Sequence, residues 1–186
     1  MRIHVTYAGG TIGMVDSPDG LRPGADMASW LNTQFDGIEL SGHVSMSQLS
    51  PLVDSSETTP THWQMIIDDI RAHGDEADAF LVLHWTDTMA YSAAALSYAL
   101  ADFTKPIVLT GSQYPLGVVG TDASANVTGA LRAAGSSQVI GVTLFFGHML
   151  LAGNRSTKTS SWAFAVFDSP STLPVARTGA PWRWYH

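Results

Sequence analysis

The sequence predicts an α/β fold: a single doubly wound, mostly parallel sheet with helices on both faces. Three observations carry this expectation. Apolar stretches of strand length alternate along the chain with stretches of helical periodicity. Residues 79–83 and 106–109 are unbroken apolar runs, the pattern of strands covered on both faces. The strand-like stretches also end repeatedly in small polar residues, where sheets of this kind hold their ligands.

The elements follow in order. In residues 2–7, Ile3, Val5 and Tyr7 alternate with polar neighbours, as a strand requires. Ala8-Gly9-Gly10-Thr11-Ile12-Gly13 follows, and its glycines allow a sharp turn that presents Thr11. Alone, Thr11 reads more simply as a turn cap than as a nucleophile. Residues 16–24 contain Pro18, Gly20, Pro23 and Gly24, and are expected to form a mobile loop, either a lid or a plain connector. Asp26 opens a short helix carrying Trp30 and Leu31. Val44, Met46 and Gln48 then give a second strand, followed by Asp54-Ser55-Ser56. That triplet reads equally as a ligand loop or as the loop leading to a helix. Thr59-Pro60 starts the helix, since Pro suits its first position. Trp63, Ile66, Ile67 and Ile70 form its apolar face, and His73-Gly74 closes it.

The buried strand 79–83 ends in His84-Trp85-Thr86-Asp87, and residues 90–100 read as a buried helix. Thr86 or Asp87 is then placed at a helix N-terminus, where free N–H groups favour anions. A further strand at 106–109 ends in Thr110-Gly111-Ser112-Gln113. Residues 122–134 read as a helix closed by Gly135, and 139–146 as the next strand. No internal repeat or linker is evident, so one domain over residues 1–186 is expected, flavodoxin-like or Rossmann-like.

Composition narrows the function. Charged residues make up 13% of the chain, about half the ~25% of ordinary domains, which points to extensive burial and a subunit interface. A net charge of −7 disfavours a general nucleic-acid surface. There are no cysteines, so thiolate chemistry and disulfides are excluded. The seven histidines are dispersed, giving no metal-ligand spacing. No apolar run approaches the ~20 residues of a membrane span, and a cytoplasmic setting is the default expectation. The sequence lacks a Gly-x-Ser-x-Gly elbow, a phosphate-binding Gly-x-x-x-x-Gly-Lys loop and a dinucleotide fingerprint.

Convergence is the strongest signal in the residues themselves. In a parallel sheet, the endings at Thr11, Asp54-Ser55-Ser56, Thr86-Asp87 and Ser112 fall on one edge. All four carry hydroxyls and two carry carboxylates, which suits a small polar ligand. A threonine hydroxyl needs a base to become a nucleophile. Lys158, in Asn154-Arg155-Ser156-Thr157-Lys158, is a candidate, although by composition it reads as a solvated loop residue.

Taken together, the motifs resemble a family. Tyr7-Ala-Gly-Gly-Thr11-Ile-Gly-Met14, Pro51-Leu-Val-Asp-Ser-Ser56, His84-Trp-Thr-Asp-Thr-Met-Ala-Tyr91, Lys105-Pro-Ile-Val-Leu-Thr-Gly-Ser-Gln113 and Gly153-Asn-Arg-Ser-Thr-Lys158 resemble the motifs of bacterial-type L-asparaginases, in order, and are closest to the cytoplasmic type I branch. The resemblance runs from the first strand to about residue 174. It implies that Thr11 is the nucleophile and that Thr86 and Lys158 form a hydroxyl–amine pair with Lys158 accepting the proton. It further implies that Asp87 binds the substrate's α-amino group, while Asp54, Ser55 and Ser56 hold the α-carboxylate end. The implied reaction is L-asparagine plus water to L-aspartate and ammonia through an acyl-enzyme, with no cofactor.

Three departures accompany it. The family usually has a second, C-terminal domain, whereas this chain resembles only the N-terminal one and is expected to be a short form. Leu21 stands where the family carries a tyrosine, and Trp85 stands where it carries a glycine. The competing readings are a weak or inactive amino-acid-binding domain and a nucleotide-binding domain. For assembly, a dimer or tetramer is expected. The tail Ala180-Pro181-Trp182-Arg183-Trp184-Tyr185-His186 either forms an exposed apolar patch or folds back on its own domain.

Overall fold

The computed structural model describes residues 1–35 and 44–185 of the chain. In chain order the elements are β1 Ile3–Tyr7, β2 Met14–Ser17, β3 Gly20–Pro23, α1 Met27–Phe35, β4 Val44–Gln48, α2 Pro60–Ala72, β5 Ala79–Leu83, α3 Thr86–Ala99, β6 Ile107–Thr110, α4 Ala123–Ala134, β7 Val142–Phe146, β8 Met149–Ala152, β9 Thr157–Lys158, β10 Phe167–Asp168, β11 Ala176–Arg177 and β12 Arg183–Trp184.

Eight strands form the main sheet in the order β12-β11-β8-β7-β6-β5-β1-β4. From β4 to β7 every pairing is parallel. Past β7 the pairings turn antiparallel. The sheet is thus mostly parallel, as the alternating pattern predicts, with an antiparallel edge. That edge was not legible because β11 and β12 are two residues each, too short for periodicity to register.

The pleat sorts the core into two layers. On one face Val5, Leu81, Leu83, Val108 and Phe145 pack with Leu31 of α1 and Val127 and Leu131 of α4. On the other, Phe80, Val82, Ile107, Leu109 and Phe146 pack with Ile66, Ile67 and Ile70 of α2 and Met89 and Leu96 of α3. Helices on both faces of one sheet are the doubly wound arrangement.

One local expectation is revised and one open alternative is decided. Residues 16–24 are not an irregular loop: β2 and β3 form a hairpin pairing Met14 with Pro23 and Ser17 with Gly20. The Ser17 hydroxyl donates to the Gly20 carbonyl at 2.6 Å, and the Gly24 and Ala25 N–H groups both donate to Gly13 at 3.1 Å. The aromatic tail folds back. Trp182 and Trp184 pack against the core layer of α1 and α4, and Trp182 stacks on Phe145 at 5.7 Å. The tail therefore covers its own core layer, because the antiparallel edge gives it a strand partner. Predicted helix starts hold within a few residues; the strand expected from residue 139 begins at Val142.

The α4–β7 contact leaves no spare volume. A Cβ on Gly129 would lie 2.1 Å from the ring of Phe145. Gly129→Ala raises helix propensity by about 1 kcal/mol, yet it must displace a ring wedged beneath Trp182. We expect a net destabilisation of about 1–3 kcal/mol in urea unfolding; a more stable variant would show that this interface yields.

Candidate functional site

Strand order locates the site before any side chain is considered. The chain leaves β1 for β4 on one side, then crosses to β5 on the other. The crevice beyond the carboxyl ends of β1 and β5 is therefore the switch point. Pairing Tyr7 with Leu83 brings these two strands to the rim together, and the Ala8 N–H continues the ladder onto the Leu83 carbonyl at 2.9 Å.

Beyond Tyr7 the backbone turns at Gly9 and Gly10, with φ of 117° and 124°. Those angles belong to glycine. There is also no room for a side chain: a Cβ on Gly10 would lie 2.9 Å from the His84 carbonyl oxygen. Thr11 then opens a 3-10 turn, Thr11–Gly13, half-buried above the β1–β5 junction.

Next to it, Thr86 is the first residue of α3 and is buried. Lys158 Nζ donates to Thr86 Oγ1 at 2.9 Å and to Asp87 Oδ1 at 2.6 Å. Lys158 is not a solvated loop residue. The turn Gly153–Arg155 runs against α3, and Lys158 pairs with Phe167, whose buried ring meets Phe146 edge-on at 5.2 Å. Asp87 is exposed, its side chain 71% accessible, so its carboxylate remains open to a ligand despite the ion pair.

The Thr86 hydroxyl passes its own proton on, donating to Gln113 Oε1 at 3.1 Å. Gln113 is fixed in turn by its backbone N–H on both Asp122 carboxylate oxygens at 3.0 Å. Asn126 donates to Asp122 and to the Gly111 carbonyl and accepts from the Gly147 N–H. In the sequence Gln113 stands out only as part of a motif. Its position just past β6, on the rim of Thr11 and Thr86, was the available signal. Ser112 does not join the rim: it is fully buried and its hydroxyl donates to the Tyr114 carbonyl at 2.5 Å.

On the other flank, Asp54 shapes its loop. Its Oδ1 accepts from the Ser56 N–H at 2.9 Å and the Ser56 hydroxyl at 2.8 Å, capping the 3-10 turn Ser55–Glu57. The Ser56 backbone N–H first, then the Ser56 and Ser55 hydroxyls, hold this exposed carboxyl below its usual range. The structure thus brings Thr86, Asp87 and Lys158 into direct contact. Thr11 and Asp54-Ser55-Ser56 are placed at neighbouring strand ends, and among the described residues their side chains make no hydrogen bond to that trio. A groove of about 480 Å³ opens between α3 and residues 156–161, walled by Asp87, Tyr91 and Lys158.

His84 lies beneath the rim and is not positioned as a base. Trp63 Nε1 can only donate, so its 2.9 Å bond makes Ser92 Oγ an acceptor. The Ser92 hydroxyl then donates to His84 Nε2 at 2.9 Å, and His84 Nδ1–H donates to the Trp85 carbonyl at 2.9 Å. Burial pushes the His84 pKa down to about 4, so the ring is neutral at pH 7.

Among the described residues, His4, Asp69 and His73 hold metal-capable atoms within 4.8 Å of one another, near the start of β1 and away from Thr11. Their chemistry does not fit an ion. His4 is already bonded at both nitrogens, to Ser45 at 2.8 Å and Asp69 at 3.1 Å. The His4 and His73 rings stack at 3.7 Å and 12°, so their lone pairs lie side by side instead of converging. Burial pushes the Asp69 carboxyl up, but hydrogen bonds from His4, Thr6 and Ser47 outweigh it and hold the group below its usual range. This is a closed polar network joining α2 to β1.

With this geometry in place, the comparisons with known proteins decide the family. The family model for the asparaginase N-terminal domain matches residues 2–186. The chain belongs to the asparaginase family. It is 42% identical over 180 residues to L-asparaginase 1 of Escherichia coli (strain K12), covering 95% of this chain and 53% of that protein. It is 37% identical to the 60 kDa lysophospholipase of Mus musculus, covering 96% of this chain and 36% of that one. Among solved structures, L-asparaginase I from Vibrio cholerae matches with a TM-score of 0.86 and 39% identity, over 99% of this chain and 56% of that chain. The chain thus spans about half the length of these asparaginases or less of the lysophospholipase. Among the described residues, no helix of this asparaginase-family chain is long and apolar enough to cross a membrane.

The pH behaviour of His84 follows from its burial. Its folded pKa lies below the ordinary 6.5, so the unfolded chain binds a proton that the fold does not. Its neutral form imposes no penalty above pH 6.5; as pH falls toward about 4 the fold loses about 3 kcal/mol on this account. NMR of the imidazole nitrogens should show His84 as the Nδ1–H tautomer at pH 5. A His84 resonance titrating near 6.5 would contradict the burial argument.

Proposed function

We propose that this chain carries the amide-hydrolysing centre of an L-asparaginase, converting L-asparagine and water to L-aspartate and ammonia. The single observation that supports it most is the Lys158–Thr86–Asp87 contact at the β1/β5 switch point, beside Thr11 on its glycine turn. Thr11 Oγ attacks the side-chain amide carbon, forming a C–O bond, and the C–N bond breaks as nitrogen leaves with a proton as ammonia. Water then cleaves the ester and restores Thr11. In its neutral amine form Lys158, held against Thr86, accepts the proton that Thr11 releases on attack and returns it to the leaving nitrogen. Asp87 receives the substrate's ammonium. Ser55 and Ser56, in a loop shaped by Asp54, offer hydroxyl and backbone donors to its carboxylate. The proposal needs no metal or cofactor. We also propose that the chain self-associates as a dimer or tetramer, on the strength of its 13% charge and of Tyr91 and Trp162, which are 69% and 86% exposed beside the groove.

A second reading, a weak or inactive amino-acid-binding domain, is favoured by one feature. Leu21 lies on β3 of the hairpin after Thr11, half-exposed, and offers no hydroxyl to the nucleophile. A coupled ammonia assay separates the two. Hydrolysis supports the enzyme; L-aspartate binding by calorimetry without ammonia release supports the second reading.

Three outcomes are expected. Thr11→Ala should lower ammonia release at least about 10³-fold with an unchanged circular dichroism spectrum; near wild-type turnover would remove Thr11 as nucleophile. Lys158→Met should cost about 10²–10⁴-fold in kcat, and a smaller loss would return Lys158 to a structural part. Trp85 beside the rim adds bulk, so kcat/KM for asparagine should exceed that for glutamine by about 1–3 kcal/mol.

A further inference from the structure

One side chain, on the strand end that carries Thr86, touches both of the neighbouring segments that carry Thr11 and Asp54. Trp85 precedes Thr86 at the start of α3. Its indole Nε1 donates to the Val53 carbonyl at 2.7 Å, next to Asp54. The same ring lies on Gly9: a Cβ there would be 2.6 Å from Nε1 and 3.3 Å from Cδ1. Its carbonyl accepts from His84 Nδ1 at 2.9 Å, tying the residue to the ordered chain of Trp63, Ser92 and His84. A small cavity of about 10 Å³ adjoins Trp85, lined also by Ala8, Leu49, Val53 and Ile66. That is close to the smallest cavity able to hold one water. The indole is therefore held by a hydrogen bond at Nε1 and by the close approach of Gly9 to the same end of the ring.

We propose that Trp85 is a positioning residue that sets the distance between the Asp54–Ser56 loop and the Thr11 turn, and so controls substrate affinity in preference to turnover. The loop needs such an anchor. Its 3-10 turn is held internally by short-range bonds that Ser56, Glu57 and Thr58 donate to Asp54 and Ser55, and internal bonds fix a loop's shape but not its place. Without the Val53 tether, a carboxylate-binding loop moves as a unit relative to the nucleophile. Binding then weakens while the chemistry of Thr11, Thr86 and Lys158 is untouched. The kinetic side of this inference rests on the amide-hydrolysis reading; the structural side does not.

The test uses Trp85→Phe, which keeps a ring over Gly9 and removes the donor, and Trp85→Gly, which removes both. Hydrogen exchange reads the tether without any activity. In Trp85→Phe the amides of Ser56, Glu57 and Thr58 should exchange about five- to tenfold faster, the equivalent of one lost hydrogen bond, while those of β1 and β5 remain unchanged. In the ammonia assay KM should rise by a similar factor, with kcat within about twofold; Trp85→Gly should raise KM further. Loop exchange rates equal to wild type in both variants would overturn the proposal. A fall in kcat at constant KM would overturn the affinity assignment. If the chain releases no ammonia, the amide-hydrolysis reading fails by itself, and the exchange experiment still decides whether Trp85 is the tether.

Discussion

The site depends on the close approach of two backbones. The Gly9-Gly10 turn lies directly against the His84–Trp85 peptide, close enough that a Cβ on Gly10 would meet the His84 carbonyl at 2.9 Å. That contact is possible only because β1 and β5 are parallel neighbours in register to their last residues. It seats Thr11 on one strand end and Thr86 on the next. Everything else at the rim is arranged around this junction: Trp85 reaches from it to Val53, Lys158 reaches in from β9, and Gln113 closes the Thr86 side.

Two kinds of polar structure surround this junction, and they serve it differently. The ordered chain from Trp63 through Ser92 to His84 begins at a group that can only donate, which fixes every proton along it. The His4–Asp69–Thr6 network joins α2 to the same strand farther from the rim. Both are fully paired, which is what makes burying them tolerable. Together they hold β1, α2 and the start of α3 as one rigid frame beneath the rim.

Much of this was legible in the sequence because burial writes strong patterns. The apolar runs at 79–83 and 106–109 announced interior strands, and Ile66, Ile67 and Ile70 announced the buried face of α2. Thr11, Thr86 and Asp87 were legible as strand-end residues for the same reason. What escaped was structure made by few residues or by distant partners. The hairpin 14–23 has a turn-rich sequence and only half-buried apolar positions. Lys158 gave no local sign of its partners, which lie more than seventy residues away. Ser112 has the residue type of a ligand contact but spends its hydroxyl on a carbonyl two residues on.

The ribbon that carries Lys158 has a thermal consequence. Thr86 belongs to a fourteen-residue helix packed on the sheet, whereas Lys158 sits on a two-residue strand that, among the described residues, pairs with β10 alone. Segments with so little pairing open at a free energy well below that of the whole domain. Warming should therefore part the lysine from its threonine while the sheet is still intact. Loss of the Lys158–Thr86 contact would then begin below the melting temperature and reverse on cooling, because what has been lost is one short ladder and not the fold.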